Sequence, residues 1–154
     1  MSHLNKQNDF WGQVRTHYKL KGKIGQGRFA TVFRAKCRAT GEHVAIKHLT
    51  DPQNAVREIL ILLGLKSIPE GKKTHFFAKL IDVILPEGQT ENIFLVLELE
   101  QMDLNTFLVG HQKFDDKAIK LVFYNLLCAV NFLHSANVIH RDLKPANVLI
   151  NQCC

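Results

Sequence analysis

The period of the apolar residues changes once along the 154-residue chain, and that change restricts the fold more than any other feature. From Tyr18 to Leu49 the apolar residues fall in short runs, Val32-Phe33 with Ala35 and then Val44-Ala45-Ile46, with Ala39-Thr40-Gly41 as a turn between them. Leu80–Leu85 and Ile93–Leu99 read as two more strands, connected hairpin-fashion through Pro86-Glu87-Gly88. A single helix interrupts them. Asp51-Pro52 opens it, with a side-chain acceptor at the cap and proline in the first turn, and Gly64 or Ser67 ends it. Val56, Ile59, Leu60, Leu62 and Leu63 give this helix a broad apolar face. Later the pattern is helical: a short helix from Asp103 to Leu108, then a long one capped by Asp115-Asp116 and apolar nearly all round to His134. The final strand, Val148–Ile150, has no evident partner. Strands with one helix first and helices after define an α+β chain with two lobes meeting near Leu97–Met102.

Composition narrows the function classes. No run of eighteen apolar residues exists, so no membrane span is expected, and Met1-Ser2-His3 lacks the features of a signal peptide or a myristoylation site. Cys37, Cys128, Cys153 and Cys154 show neither metal-ligand spacing nor the density of a disulfide scaffold. They suit a reducing compartment, cytoplasmic or nuclear. The terminal Cys-Cys could be a prenylation signal, but a cut within a longer protein is the preferred reading. The net charge of +6 is uneven: residues 1–50 hold ten Lys/Arg against Asp9 and Glu42, while the remainder is slightly acidic. Without an aromatic ladder or basic helix, that half points to small-molecule phosphate or a solvated face, not to nucleic acid.

Three segments carry chemistry. In Ile24-Gly25-Gln26-Gly27-Arg28-Phe29-Ala30-Thr31-Val32, two glycines between strands let backbone amides approach phosphate. A strand follows, so the dinucleotide-fold reading fails. In Val44-Ala45-Ile46-Lys47, alternation puts Ala45 and Lys47 on one face. An ammonium leaving a buried sheet is costly unless it meets phosphate and a carboxylate. Glu58, on the next helix beside the inward-packing Ile59 and Leu60, is the natural carboxylate. In His140-Arg141-Asp142-Leu143-Lys144-Pro145-Ala146-Asn147, Asp142 can take a hydroxyl proton, Lys144 can neutralise a moving phosphoryl group, and Asn147 can offer an oxygen to a metal.

Together these segments resemble the protein kinase family over Tyr18 to about Ile150. Arg57-Glu58-Ile59, Leu80-Ile81-Asp82-Val83 and Leu99-Glu100-Gln101-Met102-Asp103-Leu104 are most similar to mitogen-activated and cyclin-dependent kinases. Lys144, two places after the base, resembles the serine/threonine type. The resemblance implies an extension over 1–17, a complete N-lobe of five antiparallel strands plus one helix over 18–97, and a hinge with a partial helical C-lobe over 98–154. It implies ATP and Mg2+ as cofactors, with Asp142, Lys144, Lys47 and Glu58 catalytic and Asn147 on the metal. Ile24, Val32, Ala45 and Leu149 would sandwich adenine, Leu97 would be the gatekeeper, and the backbone of Glu98 and Glu100 would meet the adenine edge. Gly25, Gly27 and Lys47 would hold phosphates. Asp103 would reach the ribose, although helix capping also explains it.

The implied reaction passes the γ-phosphoryl group of ATP to protein Ser/Thr hydroxyls, under an upstream activating kinase, with no nucleic-acid or membrane partner. Two departures stand out. Only eleven residues separate Lys47 from Glu58, and no Asp or Glu follows Asp142. The chain therefore reads as a fragment inactive on its own, and the alternative is a catalytically dead nucleotide-binding or regulatory module.

Overall fold

The computed structural model describes residues 10–67, 76–88, 91–110 and 114–150. Cys153, Cys154 and the first nine residues lie outside that set. The chain divides into two compact units, Met1–Pro69 with Lys79–Leu99, and Glu70–Ala78 with Glu100–Cys154.

The first unit is built on a five-stranded antiparallel sheet in the order β1-β2-β3-β5-β4. Its strands are β1 (Tyr18–Gln26), β2 (Ala30–Cys37), β3 (His43–Leu49), β4 (Leu80–Ile84) and β5 (Ile93–Glu98). Gly41 (φ 78°) and Gly88 (φ 69°) take the left-handed conformation that the two expected turns require. Alternation along the strands gives the sheet two apolar faces. One carries Tyr18, Ala35, Val44, Ile46, Ile84, Phe94 and Val96. It is covered by Phe10, Trp11 and helix α1 (Gly12–His17), whose Val14 is fully buried. The sequence offered no sign of α1: six residues are too few to display a period.

The other face carries Leu49, Leu80, Ile93 and Leu95, packed beneath helix α2 (Pro52–Lys66). Asp51 caps α2, its carboxylate accepting from the amides of Gln53 (3.1 Å) and Asn54 (3.3 Å). Ala55, Ile59 and Leu62 make the contact with the sheet. The broader apolar face expected of α2 is wrong. Val56 and Leu63 are exposed, and Leu60 is 64% exposed. Burial against a flat sheet admits one i, i+4, i+7 stripe, and Leu60 lies one residue round from it.

The second unit contains β6 (Met102–Asp103), α3 (Leu104–Val109), α4 (Asp116–Ser135), a 3-10 turn (Pro145–Asn147) and β7 (Leu149–Ile150). Here the expectation of an unpartnered last strand is also overturned. Leu149 pairs with Asp103 and Ile150 with Met102, antiparallel. A two-residue ladder formed from segments 46 residues apart leaves no periodic trace. Asp115 caps α4 through the Ala118 amide (2.7 Å), as the paired acids suggested. Among α4's apolar residues Leu133 is buried, whereas Ile119, Phe123, Tyr124 and Leu127 are exposed. No unbroken run of eighteen apolar residues exists, yet α4 has 20 residues, reaches a mean hydropathy of 1.3 over an 18-residue window, and is long and apolar enough to cross a membrane. The sequence criterion missed it because Asn125, Asn131 and His134 are interspersed.

Candidate active site

In the first unit, register assembles one set of candidates. Val32, Lys47 and Leu95 lie opposite one another across β2, β3 and β5, and Ala45 lies opposite Leu97 in the next row on the same face. β3 is the middle strand, so Lys47 leaves the most constrained part of the sheet. Its Nζ lies 2.7 Å from Glu58 Oε1 and 2.9 Å from Oε2, a two-oxygen contact between side chains only 27% and 31% exposed. Glu58 sits two turns into α2, next to Ile59, which packs on the sheet. The short Lys47–Glu58 spacing therefore does not prevent the pair from forming.

Gly25 faces Val32 across β1 and β2, and register shifts at Leu20/Gly22 and Lys23/Gly25 bend this part of β1. Ile24 falls at the second shift and is 52% exposed, presented by the bulge and not absorbed into the core. The glycines are not demanded by packing. A Cβ on Gly25 would touch Val32 at an ordinary 3.6 Å, and one on Gly27 would meet only the Ala30 carbonyl oxygen at 3.9 Å. Neither residue is in the left-handed region. The loop is nonetheless held: Gly27 N–H donates to the Ala30 carbonyl (2.8 Å), and Thr50 donates to the Phe29 carbonyl from its amide (3.3 Å) and its hydroxyl (3.4 Å). Thr50 was missed in the sequence, where it follows the strand as an ordinary polar residue. The Glu98 amide donates to the Lys79 carbonyl at 3.0 Å.

In the second unit, the loop after α4 organises Asp142. Arg141 takes a left-handed conformation (φ 65°), which costs a non-glycine residue about 1 kcal/mol and concentrates at functional loops. The Asp142 amide donates to His140 Nδ1 (3.3 Å). Lys144 Nζ lies 2.9 Å from Asp142 Oδ2, and Asn147 Nδ2 donates to the same oxygen (2.8 Å) and to the Asp142 carbonyl (2.7 Å). The Lys144 contact, reinforced by Asn147, holds the Asp142 carboxyl below its ordinary pKa, so it is ionised at neutral pH. Oδ1 is left without a partner among the described residues. With its amide nitrogen engaged, Asn147 has its Oδ1 directed elsewhere.

The β6–β7 ladder sets Asp103 opposite Leu149, and the Leu104 amide closes on the Val148 carbonyl (2.8 Å). Leu149 is 49% exposed. Asp103 caps α3, accepting from the Thr106 amide (2.8 Å) and hydroxyl (2.6 Å). Burial raises its pKa, but hydrogen bonds from the Thr106 hydroxyl and amide, together with the backbone of Asp103 and Asn105, outweigh this and hold it below the ordinary value. Capping thus accounts for Asp103 without a ligand.

The first unit thus presents a glycine loop over a sheet and a lysine–glutamate pair linking strand to helix, and the second an aspartate–lysine–asparagine loop, the features that the resemblance to protein kinases implies. Residues 18–153 match the protein kinase domain family, and the chain belongs to that family. Within it, the chain is similar to mitogen-activated serine/threonine kinases. It is 38% identical over 148 residues to mitogen-activated protein kinase 15 of Rattus norvegicus, covering 92% of this chain and 26% of that protein. It is 34% identical over 150 residues to extracellular signal-regulated kinase 1 of Dictyostelium discoideum (92% and 27%), and 34% over 145 residues to mitogen-activated protein kinase 7 of Arabidopsis thaliana (92% and 39%). The chain spans about a quarter to two fifths of the length of these relatives.

Proposed function

We propose that these residues bind ATP with magnesium and serve a mitogen-activated-type kinase that phosphorylates Ser/Thr hydroxyls of proteins. The observation that carries this reading is the Lys47–Glu58 contact on the central strand, beside a glycine loop whose glycines internal packing does not require. Glu58 would hold the Lys47 ammonium on the α- and β-phosphates. Gly25 and Gly27 would let the loop's backbone approach them. In the first unit Ile24, Val32 and Ala45 would supply apolar surface for adenine, with Leu97 as gatekeeper; Leu149, in the second unit, keeps only the adenine role that the resemblance implies. A Glu98 contact to the adenine edge falls to its carbonyl oxygen, since its N–H is engaged, and Glu100 contributes its backbone. Asp103, already a cap, retains lone pairs for a ribose hydroxyl.

Asp142 Oδ1 would receive the acceptor hydroxyl's proton, while Lys144 neutralises the phosphoryl group. The Asn147 amide oxygen fits a hard cation, which when bound would neutralise charge on the phosphates. Magnesium on phosphates ordinarily takes a protein carboxylate as well, and residues 143–154 contain none. A chain of these 154 residues alone would therefore bind nucleotide and transfer no phosphate. We read α4 as a helix of the catalytic domain, the protein as cytoplasmic or nuclear, and the whole protein as the substrate of an upstream kinase.

The test is calorimetric titration of MgATP into the wild-type chain and Lys47→Met. Loss of one charge-assisted phosphate contact predicts at least roughly tenfold weaker binding with an unchanged circular-dichroism spectrum. Equal affinities would remove the assignment.

A further inference from the structure

The hairpin of β1 and β2 is charged with one sign only. It carries Lys19, Lys21, Lys23, Arg34 and Lys36 and no Asp or Glu, and Arg38 follows directly. Register makes the arrangement unfavourable. Lys19 lies directly opposite Lys36, and like charges that face each other across an antiparallel pair repel. Lys36 also leans over the next turn, where a Cβ on Gly41 would lie 3.6 Å from its Cε and 4.0 Å from its Nζ. Glu42, beside that turn, receives the Thr40 hydroxyl at 3.2 Å. Lys19, Lys36 and Arg38 have no carboxylate partner among the described residues. Folding alone gives no reason to gather these three cations.

They line a common cavity. Lys19, Lys36, Cys37, Arg38 and Gly41 enclose about 280 Å³. Arg38 is fixed there from behind: its amide donates to the His17 carbonyl (2.9 Å) and its Nε to the Arg15 carbonyl (3.0 Å), which leaves both terminal nitrogens of the guanidinium uncommitted. A larger cavity shares Cys37 and Arg38, but Asp82 lines it and makes it the poorer place for an anion. The smaller cavity is separate from the residues assigned to the nucleotide phosphates. Lys36 lies opposite His43 at the start of β3, and Lys47 is four residues further on, roughly 13 Å at about 3.3 Å per residue.

We propose that this cavity binds the phosphate of a phosphorylated protein segment. A phosphate monoester carries close to two negative charges at neutral pH and three acceptor oxygens, whereas a carboxylate brings one charge to three cations. The Arg38 fork can meet two of those oxygens together, and the two lysines supply point charges around the third. The volume falls below the roughly 300–1,000 Å³ of sites that enclose whole small molecules, so it suits one phosphorylated side chain whose backbone stays at the rim. The exposed Arg34 and Lys21 on the same hairpin extend the positive surface for acidic neighbours of that side chain. A bound phosphate also relieves the repulsion between Lys19 and Lys36. The site lies beyond the ATP reading and does not rest on it.

The experiment is fluorescence anisotropy without nucleotide. A fluorescein-labelled peptide with phosphoserine between glutamates is titrated with the wild-type 154-residue chain, Lys36→Gln and Lys36→Arg, beside the same peptide with unmodified serine. The wild type is expected to bind the phosphopeptide at least about tenfold tighter than the serine peptide, Lys36→Gln to lose about tenfold, and Lys36→Arg to keep most of the affinity. Equal affinity for the two peptides overturns the inference, since it marks a basic face without a phosphate site. Unchanged phosphopeptide affinity in Lys36→Gln overturns it as well. Inorganic phosphate that competes as tightly as the phosphopeptide, or sedimentation with phosphoinositide vesicles in place of peptide binding, overturns a protein segment as the source. Lys36→Gln removes a facing charge and is expected to melt no lower than wild type by circular dichroism. A lower melt would mark Lys36 as structural and also overturn the inference.

Discussion

Replacing Trp11 with alanine should destabilise the first unit strongly, although Trp11 lies outside every recognisable motif. Its ring centroid is 4.7 Å from that of Phe94, 5.0 Å from Phe33, 5.4 Å from His48 and 5.9 Å from Phe10. His48 also stacks on Phe94 at 4.7 Å and bonds Asn92 Oδ1 at 2.8 Å, so the tryptophan closes a connected aromatic group across β2, β3 and β5. A fully buried Trp→Ala change costs about 3–5 kcal/mol, and a half-buried Trp11 should lose about 2–3 kcal/mol of that. Against a total stability of about 5–15 kcal/mol, this lowers Tm by on the order of 10 °C. Thermal melting by far-ultraviolet circular dichroism measures it, with Gln13→Ala on the exposed side of α1 as the control. Trp11 is the only tryptophan, so wild-type fluorescence also reports release of this segment. A Trp11→Ala melt within about 2 °C of wild type would refute the claim that α1 and its preceding aromatics brace the sheet behind Lys47.

Two further predictions follow from local geometry. Asp51→Ala leaves the Gln53 and Asn54 amides uncapped and should cost about 1 kcal/mol, read as a lower denaturant midpoint. The Asp142 carboxyl should titrate below the ordinary aspartate value of about 3.9, mainly through Lys144 and then Asn147. Its folded pKa is depressed, so its stabilising contribution is present above the unfolded value and lost as pH falls through the folded one. Carbon-detected titration should show the midpoint rising in Lys144→Ala, and no movement would contradict the assigned contact.

Local chemistry was legible where it repeats or caps. Asp51, Asp103 and Asp115 each stand where a helix begins, because a side-chain acceptor before a helical run has few other uses. The Lys47–Glu58 pair was legible because alternation placed the lysine on the buried face and left it needing a carboxylate. Long-range, short or flat features were not. The Asp103–Leu149 pairing joins two residues per strand, α1 has six residues, and the stripe of α2 that meets the sheet depends on which of several adjacent apolar residues the sheet admits. Thr50 and Arg141 act through backbone geometry, which residue type does not announce.

We propose phosphoryl transfer from ATP with Asp142 receiving the hydroxyl proton. Its most direct test compares the 154-residue chain with one extended through its natural downstream coding sequence. Both are assayed with radiolabelled ATP, magnesium and a basic protein substrate, each with and without Asp142→Asn. The extended chain should label serine and threonine, Asp142→Asn should abolish the labelling, and the 154-residue chain should transfer nothing. Labelling by the extended chain that survives Asp142→Asn would contradict the role of Asp142. Turnover by the 154-residue chain that disappears in Asp142→Asn would show that no further carboxylate is needed.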